Sequence, residues 1–192
     1  MKIFVFDTET TFINKKDLSL EAQPYIIQIA IYKIDENNFE EIKRINEYIK
    51  PPISIPYEAS QVNHIYDVDI KNAPIFEEKI QEYISMINDA DYIVHNIEYD
   101  ESMTKIELKR LQKEFLYNPK NIYCTMKETV DFCQLKNERY KYPKLELYKI
   151  LFEYFVAHDA IVDVEATLKV FLELYKKMVR KNICNTQVIS LF

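Results

Sequence analysis

The pattern of apolar and polar positions divides the chain into three extended segments, followed by helices alternating with short strands. Ile3-Phe4-Val5-Phe6 is apolar at every position, as a central strand covered on both faces would be. Tyr25–Ile34 and Phe39–Ile49 are rich in Ile and Tyr, and Asp35-Glu36-Asn37-Asn38 supplies a turn between them. Three successive strands with so short a connection predict an antiparallel meander. After Pro56 the spacing becomes helical. Over Pro74–Asn88, Ile75, Ile80, Tyr83, Ile84 and Ile87 fall on one face, with Pro74 in the first turn. Tyr92-Ile93-Val94 reads as a short strand, Ile97–Leu116 as a long charged helix and Asn121–Cys124 as another strand. Helices are expected from there onward, separated near Tyr142-Pro143. The last, from about Asp159 to Arg180, buries Val164, Leu168, Phe171, Leu172, Tyr175 and Met178. This order predicts an α/β domain with a mixed five-stranded sheet flanked by helices.

Composition removes several function classes. The 192 residues include no glycine, where average usage would supply roughly thirteen. A Walker A loop and a Gly-x-Gly-x-x-Gly dinucleotide turn both need glycine for backbone to approach phosphate, so neither exists here. The formal charge of −6 offers no net attraction for phosphate, and a nucleic-acid ligand would need a local basic surface or bound metal ions. Cys124, Cys133 and Cys184 are odd in number and fit no metal-ligand spacing, which favours a reduced, cytoplasmic setting. No charge-free stretch approaches a membrane span, and the N-terminal apolar run is too short for a signal peptide.

The chemistry is concentrated where acids follow apolar strands. In Phe6-Asp7-Thr8-Glu9-Thr10-Thr11 strand alternation puts Asp7 and Glu9 on one face at the end of a buried strand. Two such acids repel and cost desolvation unless a cation sits between them. His95-Asn96-Ile97-Glu98-Tyr99-Asp100 repeats the theme after a second short strand. His158 and Asp163 open the last helix. Five residues is about 500° of helical rotation, so the pair converges only if His158 lies on the preceding loop and Asp163 in the helix. Asp163 also sits in an apolar run, where a carboxylate packs poorly unless paired or coordinating.

Together, the Asp-x-Glu-Thr-Thr strand, the His-Asn-x-x-x-Asp turn and the His-x-Ala-x-x-Asp-x-x-Ala-Thr helix resemble the three motifs of the DnaQ-like (DEDDh) 3′–5′ exonucleases. That family includes proofreading subunits of bacterial replicative DNA polymerases. The resemblance spans residues 3 to about 172 and includes Tyr142-Pro143-Lys144-Leu145. It implies a ribonuclease-H-like fold and hydrolysis of DNA 3′ ends, single-stranded or frayed, to nucleoside monophosphates in proofreading or repair. RNA trimming by the same site is the alternative, and a non-catalytic clamp-bound adaptor the rival of another class. Asp7, Glu9, Asp100 and Asp163 would hold two divalent cations, Mg²⁺ or Mn²⁺, which suit hard carboxylate oxygens. His158 would be the general base, since a neutral imidazole can take a proton from water near neutral pH. Thr8, Thr10, Phe12, His95 and Asn96 would contact substrate, His95 and Asn96 chiefly by bracing the loop that carries Asp100.

The chain departs from the family at two glycines, which are Phe12 and His64 here. His64 suits a left-handed turn, because histidine tolerates positive φ better than most residues. Phe12 fits such a turn less easily, and reads either as a base-stacking side chain or as an ordinary loop phenylalanine.

Residues 1–181 form the expected exonuclease domain and 182–192 a tail. The tail's Gln187-Val188-Ile189-Ser190-Leu191-Phe192 resembles the linear motif by which bacterial polymerases bind the sliding clamp. Gln187, Leu191 and Phe192 would make that contact, with a replicative DNA polymerase as a further candidate partner.

Overall fold

The computed structural model describes residues 3–13, 17–35, 37–88, 91–119, 121–129 and 157–189. Within them β1 (Ile3–Thr10), β2 (Ile26–Ile34) and β3 (Glu41–Tyr48) form the expected antiparallel meander. Helices α1 (Tyr57–Asn63) and α2 (Phe76–Asn88) follow, then β4 (Asp91–Val94), α3 (Ile97–Arg110), β5 (Asn121–Cys124), the short α4 (Thr125–Glu128) and α5 (Ala160–Ile189). The described residues form one mixed sheet of order β3-β2-β1-β4-β5, with β4 and β5 parallel to β1.

Alternation along β1 assigns each residue its layer. Ile3 and Val5 join Ala30, Tyr32 and Ile34 of β2 against Ala160, Val164 and Phe171 of α5. Phe4 and Phe6 point the other way, with Ile29 and Ile31, onto Ile80, Tyr83 and Ile84 of α2 and Met103 and Leu108 of α3. Each of these large side chains is worth about 1.5–3 kcal/mol when fully buried. The central strand is thereby fixed between two layers, and its C-terminal end opens between them. A bulge there, where Glu9 pairs with Gln28 but Thr10 with Ile26, interrupts the regular pairing at the strand end.

Several element ends differ from expectation. Helix α3 stops at Arg110 rather than near Leu116. Gln112 turns left-handed at φ 55°, its N–H bonds Lys109 O (3.0 Å), and Lys113 N–H bonds Leu108 O (2.8 Å). This is the double closure usually built on glycine, and a separate 3₁₀ turn covers Glu114–Leu116. Ile75, expected on the buried face of α2, is exposed ahead of the helix, whose first buried residue is Phe76. Tyr175 of α5 is likewise partly exposed, with its ring centroid 5.1 Å from that of Phe39. Helix α5 runs to Ile189, nine residues past its expected end, so the 181/182 division falls inside it. The expected break at Tyr142-Pro143 and the residues Leu191 and Phe192 lie outside the described residues.

His64 takes the left-handed conformation expected of it, at φ 58° and ψ 21°, and caps α1 through its N–H to Ser60 O (3.0 Å). Phe12 needs no such conformation. Among the described residues only Phe39, His64, Gln112 and His158 have positive φ.

Candidate active site

Three elements converge at the C-terminal end of β1. Cross-strand register places Asp7 opposite Ala30 and Glu9 opposite Gln28, so both acids leave β1 on the face that packs against α5. Thr8 points to the opposite layer, and its hydroxyl donates to Asp100 Oδ1 (2.7 Å) in the first turn of α3. Asp163 enters from the first turn of α5. Both helices therefore direct their positive ends at the acids, which partly offsets their mutual repulsion.

His158 sits on the loop before α5, as the five-residue spacing requires. Its φ is 72°, an uncommon conformation for a residue with a side chain, and its N–H donates to Asp163 Oδ2 (3.0 Å). Ligand atoms of Glu9, His158 and Asp163 all lie within 4.8 Å of one another. The histidine ring is exposed at the rim of the cleft, while Glu9, Asp100 and Asp163 are buried to 9%, 3% and 7% residual exposure.

Such a cluster is electrostatically unfavourable by itself. Burial, with the nearby charges of Asp100, Asp163 and Glu9, pushes the Asp7 carboxyl well above the usual range. Burial followed by the charges of Asp163 and Asp100 raises Glu9 to about 8. Asp100 and Asp163 are pushed up to about 7, mainly by burial, against hydrogen bonds from Thr8 and from the His158 N–H that favour the charged forms. The second oxygen of Asp163, Oδ1, is buried without a hydrogen-bond partner among the described residues. A buried carboxylate oxygen with nothing to accept from is suited to a cation. Carboxylate oxygens are hard ligands, so the residues present suit a divalent cation such as Mg²⁺ or Mn²⁺.

These raised values have a testable sign. Between roughly pH 4, where unfolded carboxyls ionise, and pH 8, these four carboxyls hold more protons in the folded metal-free chain than in the unfolded one. The cluster's contribution to stability is thus full below about pH 4 and is lost as pH rises toward 8. Thermal melting in EDTA should show the melting temperature falling from pH 5 to pH 8, and Mg²⁺ or Mn²⁺ restoring it at pH 8. A metal-free melting temperature that climbs across that range would contradict this electrostatic picture.

The remaining expected residues surround the acids. A cleft of about 620 Å³ is bounded by the four acids, Phe12, His95, Asn96 and His158, with Ala59 and Val62 of α1 opposite. No lysine or arginine is among its described lining residues, so an anionic substrate meets acids unless cations intervene. Phe12 is 47% exposed at its edge. Thr10 Oγ1 donates to the Phe12 carbonyl (2.8 Å) rather than pointing into open solvent. His95 is buried with Nδ1 3.0 Å from Thr125 Oγ1, and Asn96 O accepts the Tyr99 and Asp100 N–H groups that start α3. Asn96 thus aims Asp100 through the backbone.

Sequence reasoning missed two polar residues. Tyr99 lies beside Asp100, and its hydroxyl donates to the Phe12 carbonyl (2.9 Å), so it ties the Phe12 loop to α3. Gln28 sits in the apolar run of β2 and bonds the start of α5. Its signal was a lone amide among isoleucines, directly across from Glu9.

A central strand ending in two acids, completed by acids from the first turns of two helices, defines a ribonuclease-H-like exonuclease scaffold. Residues 4–171 match the RNase_T exonuclease family, and the chain belongs to it, among the DnaQ-like 3′–5′ exonucleases. It is 29% identical over 177 residues to DNA polymerase III subunit epsilon of Buchnera aphidicola subsp. Schizaphis graminum, covering 89% of this chain and 73% of that protein. It is 26% identical over 181 residues to the PolC-type DNA polymerase III of Caldanaerobacter subterraneus subsp. tengcongensis, covering 91% of this chain but 12% of that one. To the 3′–5′ exonuclease DinG of Bacillus subtilis it is 28% identical over 184 residues, covering 92% of this chain and 18% of the relative. Among solved structures, E. coli Exonuclease I in complex with a dT13 oligonucleotide superposes with a TM-score of 0.70 at 18% identity, over 96% of this chain and 43% of the other. The nuclease domain of 3′hExo, a DEDDh family member bound to rAMP, gives 0.69 at 12% identity, over 92% of both chains. Among the described residues no helix is long and apolar enough to cross a membrane.

Proposed function

We propose that this chain is a metal-dependent 3′–5′ exonuclease that removes nucleoside monophosphates from single-stranded or frayed DNA 3′ ends, in proofreading or repair. The observation that carries this reading is the orphaned, buried Oδ1 of Asp163 inside a cluster of four carboxylates with raised proton affinity. Asp7, Glu9, Asp100 and Asp163 would hold two divalent ions. Bound there, such ions supply Lewis-acid activation of water and stabilisation of the leaving oxygen. The chain's own residues do the rest. His158, at the rim, accepts a proton from the attacking water at a ring nitrogen. The water oxygen bonds to phosphorus, the bond from phosphorus to the 3′ oxygen of the penultimate nucleotide breaks, that oxygen takes a proton from solvent, and a nucleoside 5′-monophosphate leaves. Phe12 offers a face on which the terminal base stacks, an interaction worth about 1–3 kcal/mol. Thr10 and Tyr99 hold the Phe12 carbonyl and so keep that face at the cleft.

DNA is favoured over RNA by the likeness to replicative polymerase subunits and by the clamp-like tail. Digestion of matched DNA and RNA oligonucleotides with Mg²⁺ tests this preference: faster release of deoxynucleotides supports it, and a preference for RNA overturns it.

The tail reading gives a separate expectation. Deleting 187–192, or changing Leu191 and Phe192 to Ala, should leave hydrolysis of short oligonucleotides unchanged and slow hydrolysis on primed DNA carrying a bacterial sliding clamp. Tethering raises the local concentration of 3′ ends for an enzyme whose net charge of −6 gives little attraction of its own. Equal rates with and without the tail on clamp-loaded DNA would remove the clamp as a partner.

A further inference from the structure

Gln28 is a polar residue in the β2 run Ile26-Ile27-Gln28-Ile29, and only 2% of its surface is exposed. Its register opposite Glu9 brings it out on the face that carries the acids and packs against α5. Nε2 donates to Asp159 Oδ1 (3.0 Å) and to Asn46 Oδ1 of β3 (2.9 Å), and Oε1 accepts the Ala160 N–H (3.1 Å). Both amide protons and the carbonyl are therefore engaged, and the partners fix which way the amide faces. Asp159 Oδ1 also accepts the Ile161 N–H (3.3 Å), so the carboxylate that caps α5 is the one Gln28 holds. Further along, the Tyr32 hydroxyl of the same strand donates to Glu165 Oε1 (2.7 Å).

His158 stands one residue before this anchor. Its left-handed backbone belongs to no repeating structure, and the ring's position over the acids follows from where the chain is held on either side. On the helical side the holding points are the Asp163 carboxylate and the Gln28 amide. Asp163 lies deeper and is further fixed by its neighbour Val164, which is packed in the sheet-facing core. Loosening the Asp159–Ala160 anchor therefore moves His158 more than Asp163.

We propose that Gln28 is a positioning residue for the reaction: by pinning Asp159 and Ala160 to the sheet it sets where His158 stands over the acid cluster. This rests on the reading of His158 as the base. A role confined to stability would lower melting temperature and leave turnover per folded molecule intact, whereas a positioning role lowers kcat in a folded, metal-binding protein.

The test compares wild type, Gln28→Glu, Asp159→Asn and the double variant for kcat and KM on a single-stranded oligonucleotide with Mg²⁺. Mn²⁺ affinity and melting temperature are measured alongside. Gln28→Glu keeps an acceptor for Ala160 but loses both donors and sets a carboxylate against Asp159. It should lower kcat by about 10–100-fold, the usual cost of removing a group that orients an active-site residue, with KM and Mn²⁺ affinity unchanged. Asp159→Asn alone should be near wild type, because its amide oxygen still accepts from Gln28. In the double variant the new amide at position 159 can donate to the new carboxylate only by turning its oxygen away from the Ile161 N–H, so kcat should recover in part, above the Gln28→Glu value. Wild-type kcat in Gln28→Glu, a loss that the double variant does not recover, or a loss that tracks Mn²⁺ affinity would each overturn the proposal. Should Gln28→Glu fail to fold, the folded double variant decides alone: kcat within about tenfold of wild type supports the pairing, and a larger loss overturns it. Full activity in His158→Ala would instead overturn the underlying base assignment.

Discussion

Asp7→Ala and Asp163→Ala are each expected to abolish nuclease activity while the protein stays folded. The loss should exceed about 10³-fold, beyond the 10–100-fold that removing an outer partner of a metal ligand costs. Both side chains point into the acid cluster from opposite sides, one from the central strand and one from α5. The fold should tolerate either change, because the carboxyls are already unfavourable there. The charge of Asp163 raises the proton affinity of Asp7 and Glu9, and Asp7 is pushed up by Asp100, Asp163 and Glu9, so deleting either member relieves repulsion. The metal-free melting temperature at pH 8 should therefore hold or rise in these variants while turnover vanishes. Near-wild-type turnover with Mg²⁺ in either variant would mean that the cluster is not the catalytic centre.

His158→Ala should lower turnover by about 10²–10⁴, the usual worth of a positioned general base. Geometry leaves His158 two possible roles, because its ring lies within 4.8 Å of carboxylate oxygens of Glu9 and Asp163 and could share a cation with them. Metal affinity separates the roles. As a base, His158 can be removed with Mn²⁺ binding intact in calorimetry, since the four carboxylates remain. Loss of Mn²⁺ affinity together with activity would make it a ligand. Its exposure at the rim and its positive φ before the helix suit a group that meets substrate from above the acids.

The acids were legible because they obey simple periodicity. Alternation along Asp7-Thr8-Glu9 placed two carboxylates on one face, and the excess rotation between His158 and Asp163 required a loop histidine. The meander was legible for the same reason. Helix ends were harder, because left-handed stops are normally marked by glycine and this chain has none. Gln112 ends α3 in a position where its side chain gives no warning, so the expected helix ran on to Leu116. His64 was anticipated only because the motif pointed to a glycine there. Gln28 was missed: a lone amide among isoleucines is a visible signal, but its meaning depends on partners 131 and 132 residues away, which no local pattern reveals. Tyr99 carries no local signal that sets it apart among fifteen tyrosines, although its hydroxyl joins the Phe12 loop to the helix that carries Asp100. In both cases a hydrogen bond between distant segments, rather than periodicity, gives the residue its role.

The most direct test of the central claim is a time course on a 5′-end-labelled single-stranded DNA oligonucleotide with Mg²⁺, repeated in EDTA. The four-carboxylate site predicts a ladder that shortens one nucleotide at a time from the 3′ end, with mononucleotides as product and no cleavage in EDTA. Undiminished cleavage in EDTA, cuts at internal positions, or no hydrolysis with either Mg²⁺ or Mn²⁺ would contradict it.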